Sequence, residues 1–245
     1  QLNFRASERI ELVAQAVIRS RNDRSTRAAF EWAFADFRPT PDWTLRVGRF
    51  NPDAFLLSDY RNVGFAYPWV RPDVSFYGAI PLYSVTGVDV GRSWLDGDAY
   101  WKLKGFAGGG RLALTPRADD QVANVHLQPA IGASLSRELD GLLLKASLVR
   151  LKVSLRDATE LNQLDQALAN IARLPIPEVQ AQVEDYRRHL GLESASLSFL
   201  QLGARYEGEK WLWSTEFAHM FGNYPTGHSL TGYASLGRRF GSITA

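Results

Sequence analysis

The 245-residue chain carries 28 basic and 26 acidic side chains, a near balance that argues against a nucleic-acid binder held by bulk charge. It has no cysteine, which excludes a disulfide framework and a cysteine metal site, and no run of about twenty apolar residues that would make a membrane-spanning helix. No composition break marks a linker, so residues 1–245 read as one all-β domain.

Side chains of a strand point alternately to opposite faces, so each apolar–polar alternation can be tested for one wet and one dry face. A first strand is expected near residues 3–19. Over 27–37, Ala28, Phe30, Trp32 and Phe34 share one face, opposite Arg27, Ala29, Glu31, Ala33 and Ala35; the bulky set reads as lipid-facing. The short link 38–42 leads to a strand at 43–50, and the long link 51–83 follows. Residues 84–94 set Val88, Val90 and Trp94 against Gly87, Asp89, Gly91 and Ser93. Arg92 falls on the apolar face, where a charge near a membrane interface costs roughly 0–1 kcal/mol. After the short link 95–98, Trp101, Leu103 and Gly105 oppose Tyr100, Lys102 and Lys104. Residues 108–124 read as a long link whose Gly108-Gly109-Gly110 run is flexible loop, since it lacks the helix context and lysine of a phosphate loop.

Over 127–136, Leu127, Ile131, Ala133 and Leu135 oppose Gln128, Gly132, Ser134 and Ser136. In 142–155 the apolar set Leu142, Leu144, Ala146 and Leu148 gives way to Val149, Leu151 and Val153, so a bulge near Val149 is expected to re-phase the strand. A helical hairpin is predicted over 157–190. Asp157 and Glu160 have capping-box spacing, and Leu161, Leu164, Leu168 and Ile171 follow at helical intervals. Pro175 and Pro177 break the run, Pro177 suiting the first turn of a second helix with the stripe Val179, Val183, Tyr186 and Leu190, and Gly191 stopping it. This hairpin is either a solvated cap or a lid or subunit contact. Strands at 200–206, where Leu200, Leu202, Ala204 and Tyr206 oppose Gln201, Gly203 and Arg205, at 211–221 and at 229–240 bring the count to about ten.

Very short links thus alternate with very long ones, and aromatic residues flank the short ones: Phe37 with Trp43, Trp94 with Tyr100 and Trp101, Tyr206 with Trp211 and Trp213. A transmembrane β-barrel has tight turns on one side, long loops on the other and aromatic girdles at the interfaces. Ten residues at about 3.3 Å each, tilted near 40°, cover roughly the 25 Å of an outer-membrane apolar band. The fold expected is an antiparallel transmembrane β-barrel; a soluble all-β protein with aromatics packed near its hairpins is the alternative.

Residues 45–90 carry a more specific signal: Leu45-Arg46-Val47-Gly48-Arg49-Phe50, Ser58-Asp59-Tyr60, Val63 through Pro72 with Tyr67-Pro68-Trp69, then Tyr77 and Gly87-Val88-Asp89. This run resembles a group of porin-like outer-membrane proteins of Gram-negative bacteria. The resemblance implies a β-barrel channel in the outer membrane and names no solute. The chain has no signal peptide and ends at Gly241–Ala245 where such barrels carry an aromatic strand, so a mature or truncated piece of a larger barrel is expected.

The 51–83 link is the candidate constriction loop. Phe55, Tyr60, Phe65, Tyr67, Trp69, Phe76 and Tyr77 must bury apolar area somewhere, which argues against disorder. Folded into the lumen, it brings Asp59, Arg61, Arg71 and Asp73 opposite wall residues Arg46, Asp89, Lys102 and Lys104. Rings of charge at a narrow point select ions, and the mostly basic wall predicts mild anion preference; the alternative is that these charges pair within a packed loop. Arginine outnumbers lysine 23 to 5, which fits either an arginine-lined anion path or loop charges that meet lipopolysaccharide.

No catalytic site is expected. His126, His189, His219 and His228 are scattered without metal-ligand spacing, and His219 alternates away from Ser214 and Glu216. Neither metal nor cofactor is expected, and the partners are outer-membrane lipid, lipopolysaccharide and small hydrophilic solutes, with a homo-oligomer such as a trimer compatible. Two functions compete: a passive diffusion channel, favoured by the small inward residues Ala33, Ala35, Gly87, Gly91, Gly132 and Gly203, and a structural barrel with a plugged lumen and a partner-binding helical loop.

Overall fold

The structure, a computed structural model, describes residues 2–20, 26–58, 74–77, 84–114, 123–156, 159–190, 195–222, 228–240 and 243–244. Among these residues twelve strands run in chain order through one antiparallel sheet: β1 (Leu2–Arg5), β2 (Ile10–Ser20), β3 (Thr26–Thr40), β4 (Trp43–Phe50), β5 (Val85–Asp96), β6 (Ala99–Leu114), β7 (Ala123–Leu139), β8 (Leu142–Arg156), β9 (Ala195–Glu207), β10 (Trp211–Gly222), β11 (Ser229–Phe240) and β12 (Ile243–Thr244). Each pairs with its sequence neighbours; among the described residues β1 and β12 do not pair with each other. The strand expected at 3–19 is two, β1 folded back on β2 in the register Leu2↔Ala14.

The tight turns follow from local chemistry. Asp140 and Gly141 both take positive φ, 49° and 78°, the two-residue hairpin turn whose twist matches its strands. Gly97 does the same at 59° between β5 and β6.

The sheet curls around residues 51–58, every one of them buried. This segment and the short helix α1 (Val74–Tyr77) form one apolar cluster with Val85 of β5, Phe106 of β6, Leu127 of β7, Val149 of β8, Phe199 of β9, Ala218 of β10 and Tyr233 of β11. Only a barrel-like wall brings strands so far apart in sequence onto one short segment. Its outer face is apolar and open: Val88, Leu103, Ile131, Leu148, Leu202 and Phe217 are all exposed. Polar residues instead line the buried inner face, among them Asp89, Lys104, Ser134, Lys145, Gln201 and Glu216. This is the inverse of a soluble protein and the arrangement of a transmembrane barrel.

Four expectations are corrected. In β3, Phe34 and Asp36 turn inward while Ala33, Ala35 and Phe37 face out, so the faces from residue 33 onward are exchanged; Asp36 lies beside Arg46 on β4, which fixes the polar side. β8 needs no bulge at Val149, because its register with β9 runs unbroken from Leu142 to Val153 and Val149 and Leu151 pack inward against the enclosed segment. The irregularity lies in β7, where Leu127 pairs with Val153 and Ala130 with Leu151; it turns Leu127 inward, away from the face of Ile131, Ala133 and Leu135. Gly108–Gly110 is strand, not loop: a Cβ on Gly108 would sit 2.5 Å from the Thr86 carbonyl oxygen, so glycine lets β6 lie close to β5.

The helical hairpin is present as α2 (Thr159–Ala172) and α3 (Pro177–Leu190), which pack on each other. The break falls at the expected prolines, and Gln180 ties the junction by donating from its side chain to the Leu174 carbonyl at 2.9 Å. Val183 is buried as the stripe predicts, but Tyr186 is exposed. Asp157 and Gly191 lie outside the described residues.

Candidate functional site

The chain leaves β4 through Asn51-Pro52-Asp53 and turns back on itself at once. The Ser58 hydroxyl accepts from the backbone N–H groups of Ala54 at 3.1 Å and Phe55 at 2.8 Å, and the Asn51 amide donates to the Ser58 carbonyl. A segment this compact can be held by a few wall contacts, and two sets of contacts hold it.

The first is ionic. Asp53 accepts from the Lys145 ammonium and from the Ser134 hydroxyl at 3.0 Å, and Lys104 stands 3.7 Å away. Lys145 also donates to the Phe55 carbonyl at 2.8 Å, and Ser147 to the Ala54 carbonyl at 2.6 Å. Burial pushes the Asp53 carboxyl upward, but the charges of Lys145 and Lys104 outweigh it and hold the group below the ordinary carboxylate range.

The second set centres on Glu216 of β10, which is fully buried. One carboxylate oxygen accepts from the Leu56 N–H at 2.9 Å and the Gln201 amide at 2.8 Å; the other accepts from the Tyr77 hydroxyl and from Tyr233 at 3.1 Å. Burial and the nearby Glu216 charge push the Tyr77 phenol far above its ordinary range, so it remains a donor at any working pH. Rings of Phe55, Phe76, Tyr77 and Tyr233 meet edge to face or tilted at 5.1–6.2 Å around this bond set.

Of the residues expected at a constriction, Arg46, Asp89, Lys102 and Lys104 all lie on the inner face. Arg46 donates to Asp89 at 2.8 Å and its guanidinium lies 5.4 Å from the ring centres of both Phe34 and Phe50. Lys102 is half-buried in the row that continues through Ser136 to Lys145. Asp59, Arg61, Arg71 and Asp73 lie outside the described residues. Sequence reasoning missed Asp53 and Lys145, placed Gln201 on the inner face without a role, and gave Glu216 no place in the lumen. The signal for Lys145 and Glu216 was present: each is a charge on the inward phase of a strand whose other phase is apolar.

The small inward residues do not leave open space. A Cβ on Gly203 would meet the Leu56 side chain at 2.7 Å, and one on Gly132 would meet the Phe106 ring at 2.5 Å, so these glycines receive the segment and its packing. Ala33 faces out. Gly203→Ala is expected to destabilise the folded barrel by about 1–3 kcal/mol through overpacking at Leu56, read from urea unfolding; an unchanged midpoint would mean Leu56 does not seat there.

His219 is exposed on the outer face near His228 (ring centres 5.7 Å apart), whereas Ser214 and Glu216 are buried inside and Ser214 bonds Ser235 at 3.0 Å. A nucleophile and base therefore do not meet here. Among the described residues no group of three or more His, Asp or Glu is placed to hold a metal ion.

Fold and interior together define an antiparallel barrel with a polar inner face and a segment latched inside it. No family model matches the chain, and no curated protein matches it. Among solved structures it is similar to OmpT, an in-vitro folded outer membrane protein of Vibrio cholerae, at 10% identity and a TM-score of 0.39, over 98% of this chain and 73% of that one.

Proposed function

We propose that this protein is an outer-membrane channel for passive diffusion of small hydrophilic solutes, narrowed by residues 51–58 and mildly anion-preferring. The observation that carries the reading is Asp53, one acidic group on an inward segment, facing Lys104 and Lys145 on the wall with Lys102 in the adjoining row. Opposed charges across a narrow path set a local field, and an excess of basic groups there favours anions. Lipid and lipopolysaccharide contact the outer wall in this reading, and a homo-oligomer such as a trimer is compatible with it. A plugged structural barrel is the second reading, favoured by the apolar packing of Phe50, Phe55 and Phe76 inside the wall.

Single-channel recording in planar bilayers under a salt gradient separates the two. Discrete steps with an anion-side reversal potential support the channel; silence from folded, inserted protein supports the plug. Lys102→Glu combined with Lys104→Gln is expected to move the reversal potential toward cations, and an unmoved potential would remove the wall charges from the mechanism. Deleting residues 158–190 is expected to leave conductance and assembly as they are, since α2 and α3 pack on each other; a change in either would make the hairpin a lid or a subunit contact.

A further inference from the structure

The outer wall carries, near the short turns, a cluster the channel reading does not use. Trp94 and Trp101 pair across β5 and β6 and stack with ring centres 6.1 Å apart and planes 4° from parallel. The Arg92 guanidinium lies 5.8 Å from the Trp94 ring centre and 5.6 Å from that of Trp43, its partner on β4. Arg137, paired with Trp101 on β7, lies 5.7 Å from that ring. Two cations thus bracket one indole pair on the outward face. No carboxylate among the described residues forms a salt bridge with either.

A guanidinium packed on an aromatic ring is oriented by that contact and keeps its in-plane N–H edge for a two-point acceptor. Phosphate is such an acceptor. Arg137 also edges an outer-surface groove of about 410 Å³. Leu135, Leu144, Leu202 and Phe217 wall it and Ala146 and Ala204 lie between them, so bulk on the flanking positions leaves a trough over small ones. An apolar trough ending at the oriented Arg137 guanidinium, with Arg92 beyond the indole pair, fits an amphiphile with an anionic head and an acyl chain.

We propose that this cluster is a binding site for an anionic phospholipid, its phosphate on Arg137, one acyl chain in the groove beside that residue, and Arg92 adding a second positive charge on the far side of the indole pair. The proposal rests on the reading that the outer wall faces a bilayer, so that reading is tested first: the folded chain should co-float with phosphatidylcholine vesicles, and failure to do so would remove the membrane reading itself. With insertion established, the full chain in detergent is titrated with phosphatidylglycerol or phosphatidylcholine and retained lipid is read by native mass spectrometry. Phosphatidylglycerol should be retained in preference to phosphatidylcholine. Arg92→Gln and Arg137→Gln should each weaken retention roughly fivefold, the effect of one basic charge at a membrane surface. Arg150→Gln, exposed on the outer face of β8 far from its short turn, should not weaken it. Equal retention of the two lipids, or unchanged retention in both arginine variants with their fold intact, would overturn the site. A dimer mass appearing in place of the lipid adduct would overturn it too, by showing that a second copy covers the groove.

Discussion

Replacing Glu216 by alanine should lower the stability of the folded barrel by roughly 3–5 kcal/mol and raise its single-channel conductance. The carboxylate is fully buried and collects four donors, from Leu56, Gln201, Tyr77 and Tyr233. Each buried donor left without a partner costs about 1–3 kcal/mol, and removal of one member of a buried network typically costs about 3–5 in all once the others relax. The Leu56 N–H is the only one of the four on the 51–58 segment, and Tyr77 holds that segment a second time through the Leu57 N–H at 3.3 Å. Losing the carboxylate therefore releases segment and wall from each other, which in the proposed channel widens the path. Glu216→Gln keeps the shape and one acceptor and should show a smaller effect on both readouts. Loss of stability with unchanged conductance would favour a plug; no change in either would show that Glu216 does not latch the segment.

Asp53→Asn should strengthen anion preference and cost about 3 kcal/mol, because it leaves the Lys145 ammonium buried with its carboxylate partner gone. The pH dependence has a definite sign. The folded carboxyl is held below its unfolded value of about 3.9, so its contribution is fully present above the ordinary carboxylate range and disappears as pH falls through the lower folded value. The wild-type segment should therefore stay latched through mildly acidic pH and loosen only below about pH 4. Urea unfolding and conductance measured against pH should show this acid limb in wild type and lose it in Asp53→Asn. A wild-type profile that loosens near neutral pH would point to a different titrating group.

The wall was largely legible in the sequence and the latch was not. Alternation placed β5, β6 and β9 with their faces correctly assigned, and the Asp140-Gly141 and Gly97 turns announced their hairpins. Alternation misleads where the interior is itself apolar. Val149 and Leu151 looked like lipid-facing residues out of phase, yet they pack inward on the enclosed segment; hydrophobicity alone does not say which dry surface a residue meets. β3 failed because Phe34 serves the interior, under the Arg46 guanidinium, rather than the lipid. Asp53 escaped notice because its partners Lys145 and Lys104 stand on strands far away in the chain, and no local pattern links them. Arg92 was legible as a tolerable interfacial charge; its place over Trp43 and Trp94 was not, since that contact depends on the register of β4 on β5.

The strict neighbour-to-neighbour order of the sheet has a consequence for how the molecule assembles. Among the described residues every wall pairing joins consecutive strands, so the barrel can grow strand by strand, with long closures only between β4 and β5 and between β8 and β9. The bond from the Leu56 N–H to Glu216 spans 160 residues, and that from Lys145 to Asp53 spans 92. Residues 51–58 leave β4 early, meet Lys104 and Ser134 when β6 and β7 form, and gain the Lys145 and Glu216 contacts only when β8 and then β10 have joined the sheet. The interior is thus completed last and from the far end of the chain, and until β10 joins the wall surrounds a segment held by its ionic contacts alone.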